Sequence, residues 1–294
     1  MKRDLLSALV EAKARKKAAV LFTPLPREAQ RGPAAPGEAP PPADARAATL
    51  WIQGEGELPD ELRDAANRAL ATDDAFTIET AGGPVFVQPS NPPLRLFVVG
   101  AVHIAEALAS MAAQLGYEVA IVDPREAFAR AERWPGVTVR NDWPDDVLNA
   151  AALDHRAAVV TLTHDPKIDD PALESALRSP AFYIGALGSG KTHGSRLRRL
   201  GERGFSADSL ARIHGPVGLR IGARTPGEIA ISILAQMTEI LRKGEGAAKG
   251  EGAAKGEGAA RGEGSAKGEG AVKREGAAKT EGGAGHGDAG GSSA

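Results

Sequence analysis

From Leu94 to Ile240 short apolar runs alternate with stretches of helical spacing, and this alternation restricts the fold more than any other feature. Leu94-Arg95-Leu96-Phe97-Val98-Val99 ends in Gly100 and has the near-continuous apolar character of a strand covered on both faces. Helical spacing follows from Val102 to Leu115, carried by Ile104, Leu108, Met111 and Leu115, with Gly116 as a left-handed stop. Tyr117 to Val122 is the next strand, ending at Asp123; Val137 to Arg140 is a weaker one, and Ala157 to Leu162 and Ala181 to Ile184 are two more. A helix is expected over Asp170 to Leu177. The final helix has the clearest start: Thr225, Pro226 and Glu228 occupy N-cap, N1 and N3 of a capping box, and Ile229, Ile233, Met237 and Ile240 follow at helical spacing. Strands separated by helices pair through crossovers, so the predicted class is α/β, a Rossmann-like doubly wound parallel sheet over residues 92–242.

The flanks follow other rules. Residues 1–91 read as a small α+β segment: a helix over 4–17, a strand from Ala18 to Phe22, a helix from Glu61 to Ala71 and a hairpin from Phe76 to Val87 turning at Gly82-Gly83. A loop over 30–48 carries Pro33, Pro36, Pro40, Pro41 and Pro42. From Lys243 the chain repeats KGEGAA with drift, and 17 of the 36 glycines fall in residues 243–294, while all 12 aromatic residues precede them. With two glycines in most units and nothing to bury, this tail is expected to be disordered and solubilising. The net charge of −2 argues against a nucleic-acid or anionic-membrane binder. The absence of cysteine excludes disulfides, thiolate metal sites and a thiol nucleophile. No run of about 18 apolar residues suits a membrane span, and the N-terminus does not read as a signal peptide, so the expected location is the cytoplasm.

Four constellations carry the chemistry. Gly100-Ala101-Val102-His103-Ile104-Ala105 opens a helix after a strand, where a dinucleotide fingerprint would lie, and Asp123 ends the next strand 23 residues after Gly100, where an acid can accept from ribose hydroxyls. Val102 replaces the second glycine, whose role is to let backbone approach a pyrophosphate. Arg125 is placed on a phosphate as an alternative; Asp123 reads equally as a turn residue, and His103 either starts the helix or faces a ligand. Thr163-His164-Asp165-Pro166-Lys167-Ile168-Asp169-Asp170 lies at the carboxyl end of a strand, where open α/β sheets bind ligands; His, three acids and Lys are more than a turn needs and read as functional ahead of a polar turn with Asp169 or Asp170 as helix cap. Gly185-Ala186-Leu187-Gly188-Ser189-Gly190-Lys191-Thr192 fits G-x-x-x-x-G-K-T, but only about 50 foldable residues follow and the strand acid, Asp165, is upstream; an anion site with Lys191 and His193 is expected, without hydrolysis. Finally, the run from Arg212 to Ala223, with His214, Gly215, Pro216 and Gly218, specifies a shaped loop.

The stretches VVGAVHIAEAL, VDPR, LTHDPKIDDPAL, FYIGALGSGKTH and RIHGPVGLRIGARTPGEIAISILAQM resemble, in order, the XdhC/CoxI family of molybdoenzyme accessory proteins over residues 92–242. The resemblance implies a Rossmann-like domain that binds molybdenum cofactor, as molybdopterin or its dinucleotide form, and helps insert it into a xanthine dehydrogenase or CO dehydrogenase-type apoenzyme. It implies a cofactor-binding protein more than an enzyme. Gly100, His103, Asp123 and Arg125 would line the nucleotide side; Thr163, His164, Asp165, Gly185, Gly188, Ser189, Lys191, Thr192 and His193 would line the anion side. The implied partners are the molybdenum hydroxylase apoenzyme, a complementary chain of the same family, and a second copy in a homodimer. Residues 1–91 depart from the family, lacking its G-S-x-P-R…G-A-x-M and G-G-C-x-E motifs, and the missing cysteine removes any cysteine-based role in sulfurating the cofactor. The rival readings are an NAD(P)-dependent oxidoreductase and a P-loop-like nucleotide binder.

Overall fold

Apolar residues on alternate faces build the N-terminal sheet. The computed structural model describes residues 3–25, 48–128 and 133–253. Helix α1 (Arg3–Ala14) leads into β1 (Ala19–Pro24), and β2 (Thr49–Ile52) pairs antiparallel with it, Val20 opposite Trp51. Helix α2 (Asp60–Thr72) precedes the hairpin of β3 (Phe76–Thr80) and β4 (Gly83–Ser90). Gly83, at φ +110°, begins β4 at the tight end of that hairpin. The sheet order is β2-β1-β4-β3, and Val20, Phe22 and Val87 bury against Ala65, Ala66, Ala69 and Leu70 of α2. Residues 30–47 of the expected proline-rich loop lie outside the described residues.

The second sheet is parallel throughout. Its strands are β5 (Arg95–Val99), β6 (Glu118–Val122), β7 (Thr138–Arg140), β8 (Ala157–Thr161), β9 (Tyr183–Ala186) and the short β10 (Ile213–His214), in the order β10-β9-β8-β5-β6-β7. The order reverses between β5 and β8, so the topological switch point lies at their carboxyl ends. Helices α4 (Pro144–Ala150), α5 (Pro166–Leu177) and α6 (Gly190–Glu202) cover one face, where Val99, Val159 and Ile184 meet Leu148, Leu173 and Leu200. The short α7 (Ala207–Ala211) leads into β10. Helix α3 (His103–Gln114) and helix α8 (Pro226–Ala253) cover the other face, where Leu96, Val98, Ile121 and Val160 meet Leu108, Ala112, Ile233 and Met237. The doubly wound class expected from the alternation is the class observed.

Two boundaries differ from expectation. Helix α5 begins at Pro166, not near Asp170, because Asp165-Pro166 supplies the same cap-and-N1 pair as Asp170-Pro171, five residues earlier, and Asp165 accepts from the Lys167 amide. Helix α8 overruns the boundary at Lys243 and continues to Ala253. A helix already nucleated and packed by Ile233 and Met237 extends one residue at a time, without a second nucleation cost. The rest of the repeat, from 254, lies outside the described residues. The α8 capping box forms: Glu228 N–H donates to Thr225 Oγ1 at 3.3 Å, and Glu228 Oε2 accepts from the Thr225 and Arg224 amides at 2.9 and 2.7 Å.

The two sheets are joined by polar contacts. Arg156, before β8, pairs with Asp73 at 2.8 Å and donates to the Pro92 carbonyl at 3.0 Å. No described helix is long and apolar enough to cross a membrane.

Candidate functional site

At the switch point the loops after β5 and β8 close on each other. Gly100 has φ +110°, and a Cβ there would stand 2.7 Å from Thr163 Cγ2. The acid at the end of β6 is turned inward. Asp123 is fully buried; its Oδ2 accepts from the Ala101 amide at 2.9 Å and from Arg125 Nη2 at 2.8 Å, and its Oδ1 from the Arg125 amide at 3.0 Å and Nε at 2.8 Å. Burial pushes the Asp123 carboxyl up, but the Arg125 fork and the two amides outweigh it and hold the group below its ordinary value. Arg125 also lies over the Phe128 ring, 4.3 Å from its centre. The ribose role expected for Asp123 is therefore corrected: its carboxylate joins the β5 and β6 loops, and Arg125 is its partner before it is anyone's phosphate ligand. His103 begins α3 and is exposed.

The β8–α5 loop is organised by Asp169, which the sequence offers either as part of a functional set or as a helix cap. Asp169, 1% exposed, sits in the first turns of α5 and gathers the loop: Thr163 Oγ1 donates to it at 2.7 Å and the His164 amide at 3.1 Å. His164 takes a left-handed turn at φ +63° to make this possible. Burial raises the Asp169 carboxyl despite these donors and Arg196. Asp170, fully buried, takes a bidentate fork from Arg199 at 2.7 and 2.8 Å. Among the described residues, these acids and His164 do not converge as metal ligands.

The β9–α6 connection is not a P-loop. Gly185 lies inside β9, paired with Val160 and His214, and a Cβ on it would stand 2.6 Å from Val217 Cγ2 and 2.8 Å from Tyr183 Cε1. It is a packing glycine, which corrects its assignment to the anion side. Only Leu187, Gly188 and Ser189 separate β9 from α6, too few to wrap a triphosphate. Gly188, at φ +144°, brings the loop against Thr192. Ser189 caps α6 by accepting from the Thr192 amide at 3.2 Å. His193 turns away: its ring fills the space where a Gly215 Cβ would be, and burial followed by the Arg196 charge lowers its pKa.

The structure brings His164, Asp169, Lys191, Thr192 and Arg196 around one pocket of about 250 Å³, between the starts of α5 and α6. In sequence Arg196 is one of the basic residues, with Lys191, His193, Arg198, Arg199 and Arg203, that add positive charge to the expected anion site while some of them form a solvated helix face. In the fold it is only 2% exposed; Nη2 donates to the Leu187 carbonyl at 2.8 Å and stands 3.7 Å from Asp169, while Nε and Nη1 have no partner. Its place one helical turn before Leu200, on the same face of α6, is the signal that it points inward. The Arg125 guanidinium is held charged chiefly by Asp123, with Asp165 and Asp169 adding at longer range, so the two clusters share one field.

This arrangement, on a 3-2-1-4-5-6 parallel sheet, coincides with a match of residues 96–237 to the family described as the XdhC Rossmann domain. Residues 96–237 are an XdhC Rossmann domain. The XdhC domain is also similar to the molybdenum cofactor insertion chaperone PaoD of Escherichia coli K12, with 34% identity over 150 residues, 51% of this chain and 41% of that protein. A probable xanthine dehydrogenase subunit of Bacillus subtilis 168 is 29% identical over 160 residues, 54% of this chain and 46% of that one. The uncharacterized protein YqeB of E. coli K12 is 33% identical over 162 residues, 55% and 30% of the respective chains. The chain thus spans less than half the length of the curated relatives it matches. A solved structure of a xanthine dehydrogenase from Bacillus halodurans shares the fold, with TM-score 0.58 and 24% identity over 82% of this chain and 65% of that one.

Proposed function

We propose that the protein is a molybdoenzyme maturation factor, whose XdhC domain binds molybdenum cofactor and delivers it to a xanthine dehydrogenase or CO dehydrogenase-type apoenzyme in the cytoplasm. The observation that carries this reading is the polar pocket between α5 and α6 in an XdhC domain similar to a cofactor insertion chaperone. Molybdopterin carries a phosphate, and the donor set here suits one: Lys191, Thr192 and Arg196 line the pocket at two helix N-termini, and Arg196 Nε and Nη1 are buried without a partner. The chain's task is to hold and orient that group; the cofactor's redox chemistry belongs to the client. The carboxylates are committed to Arg125, Arg199 and backbone amides, which suits a binding protein better than one that moves protons.

The full chain, purified from a host that makes molybdenum cofactor, is to be oxidised with acid iodine and assayed for fluorescent pterin. Near-stoichiometric pterin that a cofactor-free client then removes, gaining activity, supports the reading. A chain that carries no pterin, and takes up none when mixed with cofactor released from a molybdoenzyme, overturns it. The NAD(P) reading loses ground because the acid at the ribose position is filled by Arg125 and Val102 stands where backbone must approach a pyrophosphate.

A further inference from the structure

We infer that the α5/α6 pocket is a phosphomonoester site, with Arg196 as its buried anchor, and that it selects a terminal phosphate over the internal pyrophosphate of a dinucleotide. This deepens the cofactor reading by naming the chemical group the pocket takes, and it rests on that reading only for the rest of the molecule.

Three observations converge. The first is charge. The α6 N-terminus and that of α5 point at one space, each contributing about half a positive charge, and Lys191 adds a whole one. Asp169 opposes an anion here, but its oxygens already take Thr163 and His164 donors, and Arg199 is neutralised by Asp170. The second is unmet hydrogen bonding. Buried Nε and Nη1 of Arg196 lack any acceptor, and leaving a buried donor unpaired is unfavourable, so a shift that brings an anion to them is favoured. Ser189 caps only the Thr192 amide, and the Gly190 and Lys191 amides precede the first intrahelical bond of α6. Gly190 and Lys191 are both exposed at this helix start. The third is size. Pockets that enclose a whole drug-sized ligand measure about 300–1,000 Å³; at about 250 Å³ this one receives one end of a molecule. A terminal phosphate, with three free oxygens, can engage the Arg196 fork, Lys191 and an amide together. An internal pyrophosphate offers two per phosphorus and must pass a chain through both sides of the pocket.

The test uses the full chain, with inorganic phosphate and AMP as monoester probes and NAD as the pyrophosphate probe, measured by isothermal titration. Phosphate and AMP are expected to bind and to compete, and NAD to bind at least tenfold more weakly. Arg196→Gln should weaken AMP about 10- to 100-fold, the scale of hydrogen bonds to a charged group. Because Arg196 is buried, its variant is checked by circular dichroism; if it does not fold, Lys191→Gln at the exposed helix start carries the test with an expected loss of about tenfold. Equal binding of NAD and AMP overturns the inference, as does AMP binding unchanged in a folded Arg196→Gln or in Lys191→Gln. A parallel pterin assay separates this inference from the cofactor reading. AMP bound but no pterin carried or taken up keeps the phosphate site and removes the cofactor; pterin carried equally by wild type and both variants does the reverse.

Discussion

Replacing Asp123 by Asn should destabilise the protein by about 2–3 kcal/mol. Asn keeps the shape, and its carbonyl oxygen in the Oδ2 place still accepts from the Ala101 amide and Arg125 Nη2, but its NH₂ group takes the Oδ1 place and meets the Arg125 amide and Nε, which donate to the carboxylate at 3.0 and 2.8 Å. Hydrogen bonds to charged groups contribute about 1.5–3 kcal/mol each. Two are lost, and the Arg125 side chain is 36% exposed, so screening by water reduces the sum to about that of one and a half bonds at the low end of that range. For a domain of 150–250 residues, 1 kcal/mol moves Tm by about 2–4 °C, so the melt should fall by about 4–12 °C. The pH dependence gives a second reading. The folded Asp123 pKa is depressed, so its stabilisation is present above the unfolded carboxylate value of about 3.9 and is lost as pH falls through the folded value. The gap between the wild-type and variant melts should therefore be constant from about pH 5 to 8 and close below about pH 4. Thermal scans across that range test both. A shift below about 1 °C at pH 7, or saturable NAD binding by the wild type that the variant loses, would refute the structural role and return Asp123 to a ribose.

Other substitutions probe the rest of the site. Gly185→Ala should cost about 1–3 kcal/mol in a denaturant titration, since its Cβ would stand 2.6 Å from Val217 Cγ2. Arg199→Met should cost about 3 kcal/mol or more by the same measure, because it leaves the fully buried Asp170 without its fork. Tyr183→Phe should cost about 1 kcal/mol, since the hydroxyl donates to Gln236 Oε1 at 2.6 Å while that oxygen keeps the Gly218 amide.

Strands β5, β6, β8 and β9 were legible because they are largely buried and read as apolar runs, whereas the edge strand β7 gives a weaker signal and β10 falls in the run read as a shaped loop; the α8 start was legible because a capping box is a short local signal. Their order follows from crossover chirality and the alternation, which together admit few alternatives. Burial of charge was not legible. In sequence Asp169 and Asp170 read as functional acids or as helix caps, and Arg196 and Arg199 belong to a basic run whose inward and solvated members are not told apart. Only the meeting of α5 with α6, which brings Asp170 to Arg199 across 29 residues, makes them two stacked acid–base pairs. The P-loop pattern failed for a related reason. A string of glycines records that a side chain is forbidden, not what forbids it: Val217 and Tyr183 at Gly185, and Thr192 at Gly188.

The same distinction bears on where the proposed ligand would sit. A dinucleotide Rossmann site needs three things at the first strand: a glycine for backbone approach, an open helix N-terminus, and a free acid at the end of the next strand. Here Val102 replaces the glycine, Gly100 is pressed against Thr163, and Asp123 is closed by Arg125. Each change removes a different contact to the nucleotide, so restoring any one would leave the others. The corresponding resources reappear one crossover along, where α5 and α6 present their N-termini, Lys191 supplies a mobile charge, and Arg196 holds two unpaired N–H groups. Burying those donors is unfavourable without an acceptor, and a chain gains nothing by keeping them unless some bound state uses them. That asymmetry, a satisfied acid at the old site and an unsatisfied base at the new one, is the reason to look for the ligand between α5 and α6.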